Sequence, residues 1–516
     1  MKKILLFCSL FSAFHLFAQP SLTNVEVTLG TGNTMTITYD LAYPSNDLAK
    51  VTFRATERGG LIFGFDTSNA TGDVGEGIAS GMGRQIEWDY SAYAPIPDFR
   101  LMLVAELAPS VDIQALVEQV DSTRMSGDLT FLEGIRHRTA GAEHLQETKD
   151  FIELQFAEGG LEIAKQQFDF NGYQAENIIG RKIGTEEEGE VYIIDGHYDS
   201  VAGSPGADDN ASGTAGMLEA MRILAPFGFK KTIRFIGFDL EEAGLVGSIE
   251  YVQNGIAQQE NIAGVLNFEM IGYFTEVPNS QEVPLGFNLL FPAAQAKLEA
   301  NQFRGDFVNV IGNGAASSLT DAYETAIENY VPQLNFISLE APASWQTLTP
   351  DLGRSDHAPF WVAGVPALML SDGANFRNPN YHGAGDTKDL VDFTFMHDVV
   401  QAAVATIAEV AGIQNAATWW TDTEFTTAVD EVAGCSFSIS PNPAKDFLRL
   451  QWAGCQVGNF NIELLDINGR VIKNYLNRNG QNGQAQMVDV RGLEKGIYFI
   501  KVSDGEGQWA RKVLVD

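Results

Sequence analysis

The sequence predicts an α/β fold: a mostly parallel sheet with helices on both faces, flanked by an N-terminal and a C-terminal β-sandwich. Three observations predict it. Between residues 109 and 412, strand-length apolar runs alternate with stretches of helical spacing, the pattern of βαβ units. On either side, short runs alternate apolar and polar residues between turn signals, as half-buried strands do. Finally, four strand-like runs of the middle segment lead straight into metal-binding side chains. VYIIDGHYDS (191–200) leads to His197 and Asp199, TIRFIGFDLEEAGLVGS (232–248) to Glu241 and Glu242, GVLNFEMIGY (264–273) to Glu269, and PALMLSDGANFRNPNYH (366–382) to His382. Open α/β sheets hold their ligands at the carboxyl ends of strands.

Taken in order, residues 1–18 hold Lys2 and Lys3, an apolar run too short to span a bilayer, and Ala18. That is the pattern of a secretory signal peptide cut after Ala18. Residues 20–108 read as a small β-sandwich without a catalytic constellation; VEVTLGTGNTMTITYDLAY and KVTFRATE carry the alternation. From Pro109 the spacing turns helical in VDIQALVEQVDSTRMSGDLTFLEGI, and strands and helices alternate to Gly412. Residues 413–434, polar and irregular, read as a linker. Residues 435–516 are strand-like again, with turn signals at Asn468-Gly469 and Lys495-Gly496. Three cysteines are present; Cys8 leaves with the leader, and Cys435 and Cys455 remain. In an exported chain such a pair favours a disulfide.

The formal net charge of −34 argues against nucleic acid and anionic membrane surfaces as partners. No stretch after the leader is long and apolar enough for a membrane span. With too few cysteines for a thiolate site, a metal must be held by histidine and carboxylate. Two metals a few ångströms apart need about two terminal ligands each and one carboxylate between them. Five ligands can be drawn from the clusters: His197, Asp209, Glu242, Glu269 and His382. Asp209 suits the bridge, since it lies in PGADDNASG on the turn entering the helix ASGTAGMLEAMRIL; Asp208 competes for that place. Asp199, two residues past His197, can accept the second imidazole N–H, as partners of metal-bound histidines do. Glu241 is left as a free carboxylate beside the metals. Each cluster taken singly reads as an ordinary cap, turn or surface pair; their common position at strand ends is what points to a site. His137, His144 and His397 lack carboxylate companions at such ends and read as structural. His357 in RSDHAPFW reads as a residue behind the ligands.

GHYDS, PGADDNASG, FDLEEAGLVGS, NFEMIGY, RSDHAPFW and NPNYHGAGDT, in that order, resemble the co-catalytic zinc aminopeptidases of metallopeptidase family 28, which also contains glutamate carboxypeptidases and glutaminyl cyclases. The resemblance covers about residues 110–412. It implies the zinc exopeptidase fold, two zinc ions and peptide substrates. It implies that His197 and Glu269 complete one zinc and Glu242 and His382 the other, with Asp209 bridging and Glu241 as general base. It favours His382 over His357, because the former precedes Gly-Ala-Gly-Asp-Thr. Two departures stand out: Glu269 where many members carry Asp, and Leu352 and Arg354 where some offer a tyrosine for the oxyanion. Tyr381 is a substitute. The apolar residues between Glu269 and His382, such as Phe287, Phe291 and Phe336, suggest large apolar N-terminal residues as substrates. SISPNPAKDFLRL, LLDINGRVI and GIYFIKVSDGEGQWARKVLV look like the C-terminal sorting domain of the type IX secretion system, and the first domain is similar to an immunoglobulin-like module. The expectation is therefore a secreted or cell-surface two-zinc aminopeptidase, passed across the outer membrane by that machinery. The rivals are a carboxypeptidase using Arg354, a glutaminyl cyclase with one zinc and fewer ligands, and a catalytically silent binding module.

Overall fold

The computed structural model describes residues 19–424, apart from 31, 44–46, 95–97 and 109, and the strands with a few flanking residues within 436–515. The expected leader, all three cysteines and Asn468-Gly469 lie outside the described residues. The chain forms two compact units. One comprises residues 1–56, 60–89 and 102–420; the other comprises 57–59, 90–101 and 421–516.

The first unit is built on an eight-stranded sheet: β1 (Glu162–Phe170), β2 (Tyr173–Lys182), β3 (Glu187–His197), β4 (Lys231–Phe238), β5 (Asn261–Phe268), β6 (Val308–Asn313), β7 (Phe336–Ala341) and β8 (Ala367–Ser371). Their order is β7-β6-β8-β5-β3-β4-β2-β1. The central strands β4, β3, β5 and β8 are parallel. The edges are not: β1–β2 is an antiparallel hairpin set antiparallel on β4, and β6–β7 is a parallel pair set antiparallel on β8. The sheet is thus mixed, and the strands that lead into the site form its parallel centre. Antiparallel edge strands on such a sheet are common.

Each strand divides its apolar residues between two cores, because successive side chains point to opposite faces. Tyr192 and Ile194, Ile233 and Phe235, and Leu266 and Phe268 enter one core. Val191 and Ile193, Ile236 and Phe238, and Val265 enter the other. Helices α1 (Ala142–Glu158), α2 (Gly213–Leu224), α3 (Ser317–Tyr330) and α4 (Phe393–Val410) cover the first face. Shorter helices, Pro292–Ala300 and His357–Val362, cover the second. Asp392 caps α4 by accepting from the backbone N–H groups of Thr394 and Phe395, as N-cap carboxylates do. Each large apolar side chain so buried is worth about 1.5–3 kcal/mol.

Residues 21–89 form antiparallel strands in the same unit: Ser21–Leu29, Thr34–Ala42, Gly81–Asp89 and Thr71–Gly72 make one sheet. A second sheet includes Ala49–Glu57, and its Phe53 meets Trp88 of the first edge to face at 5.3 Å. The stretch that reads as a linker differs in the structure: Ile413–Gln414 pairs with Gly228–Phe229, and Ala416–Glu424 is a strand of that second sheet. Its threonines and tryptophans favour strand, and sheet pairing outweighs its polarity. In the second unit, antiparallel strands between Ser436 and Val515 form sheets of three and four strands, with Leu448, Leu450, Ile462, Leu464, Ile500 and Val502 in their core.

Candidate active site

The parallel register brings four strand ends together. His197 ends β3 opposite Phe238, the end of β4, and Phe268 ends β5 beside Leu370. Glu269 follows directly, Glu241 and Glu242 stand on the turn after β4, and His382 arrives on a loop eleven residues past β8. The backbone is strained at these joins. Leu240, Met270 and His382 all have positive φ, at 59°, 55° and 58°. Such conformations cost of order 1–3 kcal/mol and gather at functional sites. Leu240 is held there by burial against Phe168 and Ala175 of the β1–β2 hairpin.

Asp209 sits on the turn Ala207–Ser212 that enters α2. Gly206 begins this turn at φ 61°, where a Cβ would lie 2.4 Å from the Asp209 carbonyl oxygen, so glycine is required. The turn is tied on three sides. Buried Arg136 donates to the carbonyls of Tyr198 (2.8 Å), Pro205 (3.0 Å) and Gly206 (2.8 Å). The Asp386 carboxylate accepts from the Asp208 and Asp209 N–H groups. Asn210 donates to Phe268 O and accepts from Met270 N, which joins the turn to the end of β5.

The donor atoms form two groups, His197, Glu241 and Glu269, and Asp209, Glu242 and His382, with the atoms of each group within 4.8 Å of one another. His197 Nε2 lies 3.4 Å from Glu269 Oε2, 3.5 Å from Asp209 Oδ1 and 3.9 Å from Glu241 Oε2. His382 Nε2 lies 3.1 Å from Asp209 Oδ2 and 3.2 Å from Glu242 Oε2. Bonds of 2.0–2.2 Å to a tetrahedral zinc put neighbouring ligand atoms about 3.4 Å apart, so the spacing fits such an ion. Asp209 turns one oxygen to each histidine. Among the described residues, His197 Nε2, Asp209 Oδ2 and Glu242 Oε1 are buried without a hydrogen bond. Close approach without hydrogen bonding is what a set of metal ligands shows.

The electrostatics agree. Burial pushes Glu242 up to about 7, with the Asp209 charge adding to it. Burial also holds Glu241 well above the usual carboxylate range. Burial alone would lower His382, but the facing carboxylates of Asp209 and Glu242 raise it to about 10. Crowded buried carboxylates with raised pKa values call for a cation.

Asp199 stands where its spacing predicts: Oδ1 is 3.3 Å from His197 Nδ1, and the carboxylate accepts from the N–H groups of Glu241 and Glu242. The Asp208 oxygens are engaged elsewhere, accepting from Gly272 N and Asn378 Nδ2. His357 is buried between Asn267 and the Leu352 carbonyl, and burial lowers it to about 4. His137, His144 and His397 make local contacts elsewhere. Sequence reasoning gave no role to Ser355, whose hydroxyl donates to Glu269 Oε2 at 2.6 Å, nor to Asp386, Asn210 and Arg136. The first two stand inside the RSDH and GAGDT motifs, which held the signal; Arg136 stands in no such cluster. Tyr381 stacks on His382 with ring centroids 3.8 Å apart and accepts a hydrogen bond from Arg354 at 3.0 Å. A cavity of about 350 Å³ opens beside Glu269, Arg354 and Tyr381.

The chain is similar to known proteins over two stretches. Residues 177–407 match the model of peptidase family M28, and residues 438–516 match the secretion system C-terminal sorting domain. Uncharacterized protein YfbL of Escherichia coli (strain K12) is 28% identical over 309 residues, 57% of this chain and 89% of that protein. Aminopeptidase YwaD of Bacillus subtilis (strain 168) is 32% identical over 208 residues, 40% of this chain and 36% of its own length. Leupeptin-inactivating enzyme 1 of Streptomyces exfoliatus is 29% identical over 243 residues, 46% of this chain and 45% of that one. The chain thus spans less than half of the last two relatives. None of its described helices is long and apolar enough to cross a membrane. Residues 177–407 are therefore similar to peptidase family M28 and residues 438–516 to the secretion system C-terminal sorting domain, a likeness that supports a zinc metallopeptidase.

Proposed function

We propose that the enzyme is a two-zinc aminopeptidase that removes N-terminal residues from peptides. The observation that carries this reading is the divided carboxylate of Asp209, one oxygen 3.5 Å from His197 Nε2 and the other 3.1 Å from His382 Nε2. On this reading His197 and Glu269 would hold one ion, Glu242 and His382 the other, and Asp209 would serve both. When bound, zinc supplies Lewis acidity that polarises the scissile carbonyl and makes a water acidic enough to attack near neutral pH.

The side chains divide the remaining work. Glu241, farther from His197 Nε2 than Glu269 or Asp209, stays free to take a proton on its carboxylate and deliver it to the leaving amine. Asp199 holds the His197 imidazole by its Nδ1–H. The Tyr381 hydroxyl accepts from Arg354, so its own hydrogen is free to bond the carbonyl oxygen as charge develops there. Arg354 donates to Asn375 and Tyr381, which uses two of its five N–H donors and leaves three that a substrate carboxylate could take, so the peptide test decides between this reading and a carboxypeptidase. Five ligand side chains weigh against a one-zinc cyclase, and Glu241 against a silent module. The leader and the tail support export across both membranes through a type IX system. The test compares release of amino acids from N-terminally free and blocked peptides, with and without chelator. Chelator-sensitive release from free peptides alone supports the reading; release from blocked peptides or from the carboxyl end overturns it.

A further inference from the structure

We propose that the cavity beside Glu269 receives the N-terminal side chain of the substrate, and that its preferred occupant is an aromatic ring carrying a hydrogen-bond donor, tyrosine or tryptophan. This rests on the aminopeptidase reading and adds the substrate class. The cavity begins at Glu269, Arg354 and Tyr381 and runs over the sheet face of β6, β7 and β8. Its inner end is apolar, lined by Leu298, Phe307, Ile311 and Leu339, which are buried.

Size is the first argument. The volume is about 350 Å³. That is many times the roughly 10–15 Å³ of such space that admits one water, and a side chain fills it better the larger it is: leucine brings about four heavy atoms, tyrosine about eight and tryptophan about ten. Leucine would leave most of the apolar wall uncovered, and uncovered wall forgoes dispersion contacts. Chemistry is the second argument. The wall has a polar interruption where Asn309 of β6 pairs with Ser371 of β8. Asn309 Nδ2 donates to the Ser371 carbonyl at 3.2 Å. Among the described residues this is the only hydrogen bond of the Asn309 side chain, which leaves its Oδ1 as an open acceptor. A phenol O–H or indole N–H entering beside it would satisfy both groups, as buried tyrosine and tryptophan require.

The test measures kcat/KM of the zinc-loaded full chain on leucine, phenylalanine, tyrosine and tryptophan amides. It also measures calorimetric binding of the four free amino acids. Tyrosine and tryptophan should exceed leucine by about tenfold or more. Ile311→Phe, which shortens the apolar end, should lower tryptophan more than leucine. Asn309→Leu should bring tyrosine to the level of phenylalanine. Leucine equal to or better than the aromatic residues, or a tyrosine-to-phenylalanine ratio unmoved by Asn309→Leu, overturns the proposal. If no amide is cleaved, the aminopeptidase reading has failed by itself. The binding order then decides the cavity: tighter tyrosine and tryptophan uphold it, tighter or equal leucine overturns it.

Discussion

Glu241 and Glu242 are neighbours in sequence, yet the structure sends their carboxylates to different partners, and substituting each by glutamine separates the roles. Glu242 Oε2 is 3.2 Å from His382 Nε2. Removing its charge takes one anionic donor from a site otherwise held by His382 and Asp209. Loss of a mere outer partner costs 10–100-fold in metal affinity, so loss of a direct ligand should cost at least about 100-fold. Glu242→Gln should therefore lose about one zinc per chain on dialysis and regain part of its kcat in excess zinc. Glu241 is 3.9 Å from His197 Nε2 and is assigned no ion. Glu241→Gln should keep both ions and its substrate affinity while kcat falls by about 10²–10⁴-fold. Added zinc should not restore it. The assay is zinc content by atomic absorption beside kcat across a zinc titration. If Glu241→Gln loses zinc and Glu242→Gln keeps it, the assignment is reversed and the reasoning from spacing is refuted.

Ser355→Ala removes a buried hydroxyl–carboxylate hydrogen bond of 2.6 Å; such a bond is worth about 1.5–3 kcal/mol, so zinc at the His197 site should weaken about 10–100-fold in chelator competition, and unchanged affinity would count against a positioning role. Chelated protein should melt at higher temperature at pH 5 than at pH 8. Burial raises Glu242, Asp356 and Asp386 to about 7. The stability they contribute is complete below their unfolded values near about 4 and is lost as pH rises through about 7. Zinc should narrow the gap, and a higher melting point at pH 8 would contradict it. Deleting residues 435–516 should leave peptidase activity intact and stop release from the native cell; loss of activity on purified protein would place part of the site in the tail.

That these side chains come together in one candidate site was largely legible, because they stand at the ends of strands that an apolar run announces. His197, Glu269 and the Glu241–Glu242 pair needed only that pattern. Asp209 was harder, since Asp208 has the same chemistry one residue away; what separates them is the turn of the chain, which spends Asp208 on Gly272 and Asn378. Arg136 was not legible, because its role is to satisfy carbonyls of a loop about 70 residues downstream, a pairing with no local signature. The mixed edges of the sheet were missed for a related reason. Of the edge strands, β6 is buried along nearly its whole length, and such a strand reads the same whichever way it runs. The strand Ala416–Glu424 was hidden by its polar side chains, although its partner sheet gives the backbone a place to bond.

Leu240 sets the backbone of the Glu241–Glu242 turn at φ 59° while its own side chain is buried with Phe168 and Ala175. This makes an outer hairpin of the sheet a thermodynamic partner of the metal centre. Coupling of this kind is reciprocal. Whatever the hairpin contributes to ion affinity, ion binding must return to the hairpin as resistance to opening. The first amides to exchange in metal-free enzyme should then include those of a ribbon that touches no ligand, and damage far out on the edge would be felt as a loss of zinc before any loss of fold.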